Sequence, residues 1–263
     1  MARAPKTEDE REEPRYRAPA LEKGLDVLEA ITRSGHPMTL GMITQHLGRS
    51  TGELFRMIQV LEYRGFIELA PNGTGYVPTT KLFSLGMEQA PIKSLLEVAL
   101  PIMRRVADEA EQSCHLALRA GGEIVIAARM EAAGLIGFSV RLGYRRPIPT
   151  SGSGAVLYAF QPSAVRERWE KDFGGITEAD LARFRRRADK VARQGYDQHP
   201  SDVVSGIVDL SAPVVRGDVA AAALTMPFVQ KLSMAIDADG ALGIIRRAAA
   251  DISSELALGD FRI

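Results

Sequence analysis

One cysteine, Cys114, stands in 263 residues, which excludes an intrachain disulfide and a cysteine-rich zinc site and fits a reducing, cytoplasmic setting. The four histidines, His36, His46, His115 and His199, are too scattered to predict a metal cluster, and neither metal nor cofactor is expected. No run of about eighteen apolar residues occurs, so no membrane span is expected. The opening MARAPKTEDEREEPRYRAP lacks the apolar centre of a secretory signal. It reads as a disordered tail over 1–19. Arg11, Arg15 and Arg17 at its end could reach a minor groove, although a solvated tail is the plainer reading. Net charge is absent too: 33 basic residues balance 33 acidic ones, so no whole-chain field points to a partner. What is plentiful is apolar content, 46%, enough at this length for roughly two domains.

The pattern is sharpest over residues 39 to 78, TLGMITQHLGRSTGELFRMIQVLEYRGFIELAPNGTGYVP. Thr39 is placed to cap a helix carrying Leu40, Ile43 and Leu47 on one face, and Gly48 then permits a turn. A second helix is predicted from Thr51 to Arg64, with Leu54, Phe55, Ile58 and Leu61 as its buried stripe. Its opposite face holds Gly52, Glu53, Arg56, Gln59 and Tyr63, side chains that could read base edges in a major groove. Phe66 to Ala70 and Tyr76 to Pro78 read as strands around the Asn72-Gly73 turn. An upstream helix from Ala20 to about Arg33, with Leu21, Gly24, Leu25, Leu28 and Ile31 at helical spacing, completes a three-helix core before Gly35 and Pro37 break it. Two helices, a turn and a hairpin outline a winged helix-turn-helix over 20–80, and double-stranded operator DNA is the expected partner. Three helices that merely pack are the bland alternative.

Charge gives that reading little help. Residues 18 to 80 hold five basic side chains (Lys23, Arg33, Arg49, Arg56, Arg64) against six acidic ones, so affinity must come from local placement and from more than one copy. The candidate DNA-contacting residues are Arg17, Thr39, Arg49, Ser50, Thr51, Gly52, Glu53, Arg56 and Gln59, with Asn72 on the wing. Glu53 could accept from a cytosine amino group.

Residues 81–110 read as linker helices interrupted at Pro91, apolar enough at Leu95, Leu96, Val98, Leu100, Met103 and Val106 to pack one face against a second copy. From 111 to 263 strands and helices alternate. A hairpin is expected over Cys114–Arg119 and Glu123–Arg129, a short strand over Leu135–Val140, helix over Ser151–Phe160 and 163–193, strands near 207–215 and 219–226, and a last helix over Ala241–Ala257. That order makes an α+β module.

LEKGLDVLEAI, LGRSTGELFRMIQVLEYRGFIE, GYVPTTKLFSLG, HLALRAGGEIVIAAR, FSVRLGYRRPIPTSGSGAVLYAF and LSAPVV, in this order and spacing, resemble the IclR family of bacterial transcriptional regulators across roughly residues 20 to 258. The resemblance implies a winged helix-turn-helix joined by a linker helix to a GAF-like α/β effector-binding domain. It implies homodimers or homotetramers that repress or activate nearby catabolic operons in response to a small organic acid or aromatic catabolite. It makes Thr51 to Arg64 the recognition helix, with Arg56 where relatives commonly keep an arginine. Relatives often read Lys-Ser-Thr where this chain has Thr51, Gly52 and Glu53.

By the same resemblance the effector cavity is lined by Leu135, Phe138, Arg146, Gly152, Ser153, His199, Ile207, Asp209, Ser211 and Thr225. A helix start built of small residues suits a carboxylate, because unpaired N–H groups point outward there. Two departures stand out: Val208-Asp209 replaces an Arg-Cys pair, and Thr225-Met226-Pro227-Phe228 replaces Ser-x-Ser-Gly. Asp209 would repel an anion unless it is protonated or offset by Arg146.

Set against these, Arg145-Arg146 reads as surface charge, His115 as a packed core histidine, and both ERWEKDF and RFRRR (183–187) as solvated helix faces. No catalytic residue is expected, since Ser151 stands where the nucleophile elbow of SGSGA would need glycine. The competing non-enzymatic reading is a DNA-binding oligomer whose C-terminal domain only assembles the protein.

Overall fold

The computed structural model describes residues 17–87, 90–133, 137–230 and 236–259. The chain divides into two compact units, 1–92 and 93–263. Among the described residues no helix is long and apolar enough to cross a membrane.

The first unit holds α1 (Pro19–Ser34), α2 (Leu40–Leu47) and α3 (Thr51–Tyr63), the hairpin β1 (Ile67–Leu69) and β2 (Tyr76–Pro78), and α4 (Lys81–Met87). The Thr39 hydroxyl accepts from the Met42 N–H at 3.2 Å, which caps α2 as its position in the sequence foretells. Val27, Leu28, Ile31, Ile43, Leu54, Ile58 and Ile67 interlock as the core. Three residues of the expected stripes lie elsewhere: Leu21 and Leu25 are exposed by 63% and 49%, and Phe55 by 45%. The core meets only the C-terminal half of α1, and Phe55 sits a third of a turn past Leu54, on the side that faces away from α1 and α2. The wing pairs Ile67 with Pro78 and Leu69 with Tyr76. Met38 exchanges backbone hydrogen bonds with Tyr76 at 3.0 and 2.8 Å and adds a third edge. At the tip, Gly73 adopts φ +67°, a conformation that strains any residue with a Cβ.

The second unit begins inside α5 (Ala90–Ala110), so from Lys93 most of the expected linker belongs to it. Pro91 lies in the first turn of α5, and the helix also contains Pro101. Of its expected apolar residues, Leu95, Leu96, Met103 and Val106 are buried by this chain itself, whereas Val98 is half-buried and Leu100 is exposed. Ion pairs Arg247–Glu109 and Arg105–Asp251 tie α5 to the last helix, α9 (Ala238–Gly259).

Six antiparallel strands form one sheet: β3 (Cys114–Ala120), β4 (Glu123–Met130), β5 (Arg145–Pro147), β6 (Asp197–Pro200), β7 (Val208–Arg216) and β8 (Val219–Phe228), in the order β5-β4-β3-β8-β7-β6. Two of these, β5 and β6, read RRP and DQHP, with no alternating apolar pattern that would mark a strand. The strand expected over Leu135–Val140 is absent from its described part, since residues 137–140 form no strand, and Leu135 lies outside the described residues. Against the sheet packs α6 (Gly152–Ala159), every residue of which is buried. The expected helix over 163–193 is two helices, α7 (Ser163–Glu170) and α8 (Glu178–Gln194).

Neither charge run is simply solvated. Trp169 and Phe173 from ERWEKDF enter the core beside Tyr158 and Phe184. Within RFRRR, Arg185 grips Glu170 at 2.6 and 2.8 Å, and Arg187 is half-buried in a bidentate pair with the buried carboxylate of Asp197 at 2.6 and 3.2 Å. Helical spacing buries Leu181, Phe184, Ala188 and Val191 and carries Arg187 inward beside them.

Candidate functional site

The first candidate surface is the outward face of α3. Thr51, Gly52, Arg56, Gln59 and Tyr63 are all exposed there, as the helical phase requires. Glu53 is exposed too, but it is already engaged: it accepts from the Ser50 backbone and hydroxyl at 3.1 and 3.0 Å, and from Lys23 of α1 at 2.8 Å. The Lys23 ammonium, with the two Ser50 donors behind it, holds the Glu53 carboxyl down at about 2. It therefore stays ionised and closes the helix start. A base-reading role for Glu53 would require breaking that arrangement.

Other candidates are also occupied. Arg49 pairs with Asp26 at 3.3 Å and Arg17 with Glu22 at 2.9 Å. The Asn72 side-chain oxygen accepts from the Thr74 N–H and hydroxyl, which builds the wing tip from within. Thr39 serves α2 as its cap. Arg56 is different. No carboxylate lies within ion-pair distance of it among the described residues, and its guanidinium is exposed at mid-helix.

The second candidate is a cavity of about 210 Å³ in the second unit. Phe138, Arg146, Gly152, Ser153, Asp209 and Thr225 line it, as expected from sequence. Gly152 is needed where the α6 start meets the sheet, because a Cβ there would stand 2.9 Å from Asp197 Oδ2 and 3.3 Å from Ser211 Oγ. Three expected residues fall outside the lining. Ser211 is fully buried behind Thr225, to which its hydroxyl is bonded at 2.8 Å. Ile207 is buried where its carbonyl accepts from the Ser201 N–H at 2.8 Å. His199, opposite Asp209 in the β6–β7 register, turns its Nδ1 to the Pro200 carbonyl. The loop it introduces supplies Ser201, Asp202 and Val203 instead, which follow a polar sequence without helical or strand periodicity and so gave no residue-level signal.

A row of polar side chains crosses the sheet beneath α6. His115 is opposite Thr225, Thr225 opposite Ser211, and Ser211 opposite Asp197, on strands β3, β8, β7 and β6. Directly opposite residues share a face. Ser153 from α6 bonds the Thr225 hydroxyl at 2.9 Å, and Arg187 secures Asp197, so most of the row is satisfied. His115 is the exception. It is 6% exposed, lines the cavity, and its Nδ1 has no hydrogen-bond partner. The core-histidine reading is right about burial and missed the cavity, because neither residue spacing nor polarity tells which end of a strand faces a void.

Burial without an anionic neighbour pulls the His115 imidazole down to about 4. Its folded value lies below the ordinary 6.5, so stability is flat above that pH and falls as pH drops toward 4, where the unfolded chain takes the proton first. Denaturation at pH 7 and pH 4.5 should show His115 contributing about 2 to 3 kcal/mol of the loss. His115→Leu should remove that share. Asp209 shifts the other way: desolvation raises its carboxyl, aided by Asp202 and opposed by a hydrogen bond from Ser201 and by Arg146 and Arg187.

The family model for the IclR helix-turn-helix domain matches residues 20–71, and the model described as bacterial transcriptional regulator IclR C-terminal matches residues 90–254. The chain belongs to the IclR family. It is thus a DNA-binding transcriptional regulator. Among curated relatives of this IclR-family chain, the HTH-type transcriptional repressor AllR of Escherichia coli K12 is 25% identical over 249 residues, covering 92% of this chain and 91% of the relative. AllR of Klebsiella pneumoniae is 26% identical over the same span. The solved IclR homolog of Microbacterium hydrocarbonoxydans complexed with 4-hydroxybenzoate superposes with TM-score 0.75 at 24% identity, covering 91% of this chain and 99% of that one. Pseudomonas aeruginosa HmgR superposes at 0.71 with 21% identity, covering 90% and 98%. These likenesses bear on the fold.

Proposed function

We propose that this IclR-family regulator controls a catabolic operon and that a small organic molecule, an aromatic catabolite or an organic acid, binds the cavity under α6 and alters operator binding. The observation that carries the reading is the cavity itself, which joins apolar walls at Ile124, Ile126, Phe138 and Val140 to a few converging polar groups. Ligand sites have that composition. A related IclR homolog holds 4-hydroxybenzoate, a molecule of suitable size for such a space.

At the DNA, Arg56 and Gln59 read base edges, with Thr51 and Gly52 close to the backbone and Phe55 as an apolar neighbour for a thymine methyl. Two copies of this face, as a homodimer or a pair of dimers, meet two half-sites.

A thermal-shift panel of catabolic acids and aromatics, paired with gel shifts on DNA upstream of the gene, tests the proposal. Uniform silence across a broad panel with DNA binding intact would favour a C-terminal domain that only assembles the protein. Asp209→Ala is expected to change the ligand response at least severalfold while free-protein operator affinity stays within about twofold, because the substitution lies in the cavity wall and not on α3. Equal responses of the folded variant and the wild type to the same ligand would remove Asp209 from the site.

A further inference from the structure

The cavity's charges and hydrogen-bonding groups choose between the two ligand classes just named, and the choice rests on the effector reading above. The space has the volume of about seven water molecules and suits a ligand of roughly ten non-hydrogen atoms. Its apolar lining includes Ile124, Ile126 and Phe138, side chains against which a ring could lie.

Charge argues against an acid. Arg146 is the one cation among the described lining residues, and two carboxylates, Asp202 and Asp209, share the wall with it. Arg187 stands behind them but is committed to Asp197 at 2.6 Å and reaches Asp202 only at 3.6 Å. Arg146 already donates to the Thr150 hydroxyl at 3.2 Å. A carboxylate entering this space meets two negative groups, one shared arginine and the α6 start at Gly152 and Ser153, with no second cation among the described lining residues to offset its lost hydration.

The hydrogen-bonding groups ask for a donor. The His115 ring is buried and forms part of the cavity lining, while Asp209 is an acceptor from the same lining. The hydroxyls of Ser153 and Thr225 are already bonded to one another. A ligand hydroxyl placed beside the His115 ring and Asp209 would find a hydrogen-bond acceptor there in exchange for the water it gives up.

We infer that the effector is an uncharged, hydroxylated ring compound of phenol or diol type, whose hydroxyl donates to His115 or Asp209 while the ring lies on Ile124, Ile126 and Phe138. The same wall disfavours the acid class of ligands.

Calorimetric titration of the full chain at pH 7 with phenol, catechol and resorcinol, against anisole, benzoate and phthalate, tests this. The hydroxylated neutral compounds are expected to bind, anisole at least about tenfold more weakly than phenol, and benzoate and phthalate more weakly than catechol. In His115→Leu the gap between phenol and anisole is expected to shrink to about threefold or less, and His115→Gln, which keeps a hydrogen-bonding side chain, to restore part of it. If His115→Leu does not fold, the wild-type comparison of phenol with anisole decides alone. Tighter binding of either carboxylate than of catechol, equal binding of phenol and anisole, or silence of the whole panel would overturn the inference. Gel shifts with the same preparations separate this from the wider reading. Operator preference together with carboxylate binding sinks only the ligand class, whereas no preference for upstream DNA sinks the regulator assignment.

Discussion

Arg56→Ala is expected to weaken binding to an operator fragment by about 1 to 3 kcal/mol, roughly 5- to 150-fold, with the second unit and its cavity untouched. The reasoning is electrostatic and geometric. The first unit has too few cations to hold phosphates as a field, and four of its potential charge contacts are closed on themselves: Arg17 with Glu22, Lys23 with Glu53, Arg33 with Glu29, and Arg49 with Asp26. Opening any of those pairs for DNA exchanges one charge contact for another. Arg56 exchanges nothing, since it stands exposed on α3 with no ion pair among the described residues and with the open Gly52 a turn before it.

Salt dependence sorts the kind of contact. A guanine reader should lose affinity for one base identity with little change in salt slope, whereas a phosphate contact should lower that slope by about one. Arg33→Ala, on the far side of an exposed i,i+4 pair, serves as the control and should change affinity little. An unchanged gel-shift midpoint for Arg56→Ala at fixed salt would take this residue out of the interface.

Asp197→Ala is expected to destabilise the second unit by about 3 to 5 kcal/mol in urea or guanidinium unfolding. Asp197 is 4% exposed, and its two oxygens take both arms of Arg187, which α8 delivers into the same space. Burial opposes the charge on Arg187, and the carboxylates of Asp197 and Asp202 more than offset it, holding its pKa up. Removing one partner leaves the guanidinium desolvated beside Gly152, and Asp202 at 3.6 Å recovers only part of the loss. Arg183→Ala, which removes an exposed intrahelical pair with Asp180 on the same helix, should cost under about 1 kcal/mol. Similar losses for the two variants would show that the buried pair has no special weight.

Much of this molecule is written locally. The Thr39 cap, the glycines that end α1 and α2, the apolar spacing of α3 and the Asn72-Gly73 turn each depend on residues within a few positions. Short-range sterics and hydrogen bonds therefore fixed the three helices and the wing before any tertiary contact was known. The matching motif order likewise announced the family. The hairpin of β3 and β4 and the α6 start at Ser151 were legible for the same reason.

What only the tertiary structure decided depends on pairs far apart in the chain. Lys23 lies 30 residues from Glu53, and that contact turns a candidate base reader into a helix-start clamp. His115 meets Thr225 across two strands, and Thr225 meets Ser153 from a helix 72 residues away, so the polar row and its one unsatisfied nitrogen exist only once the sheet is assembled. Phase along a helix likewise could not tell Phe55, left in solvent, from Leu54, fully buried, because both fit an apolar stripe until the position of α1 is known. Local propensity sets where the backbone turns. Which side chains are covered, paired or left facing a void is set by what the rest of the chain brings against them.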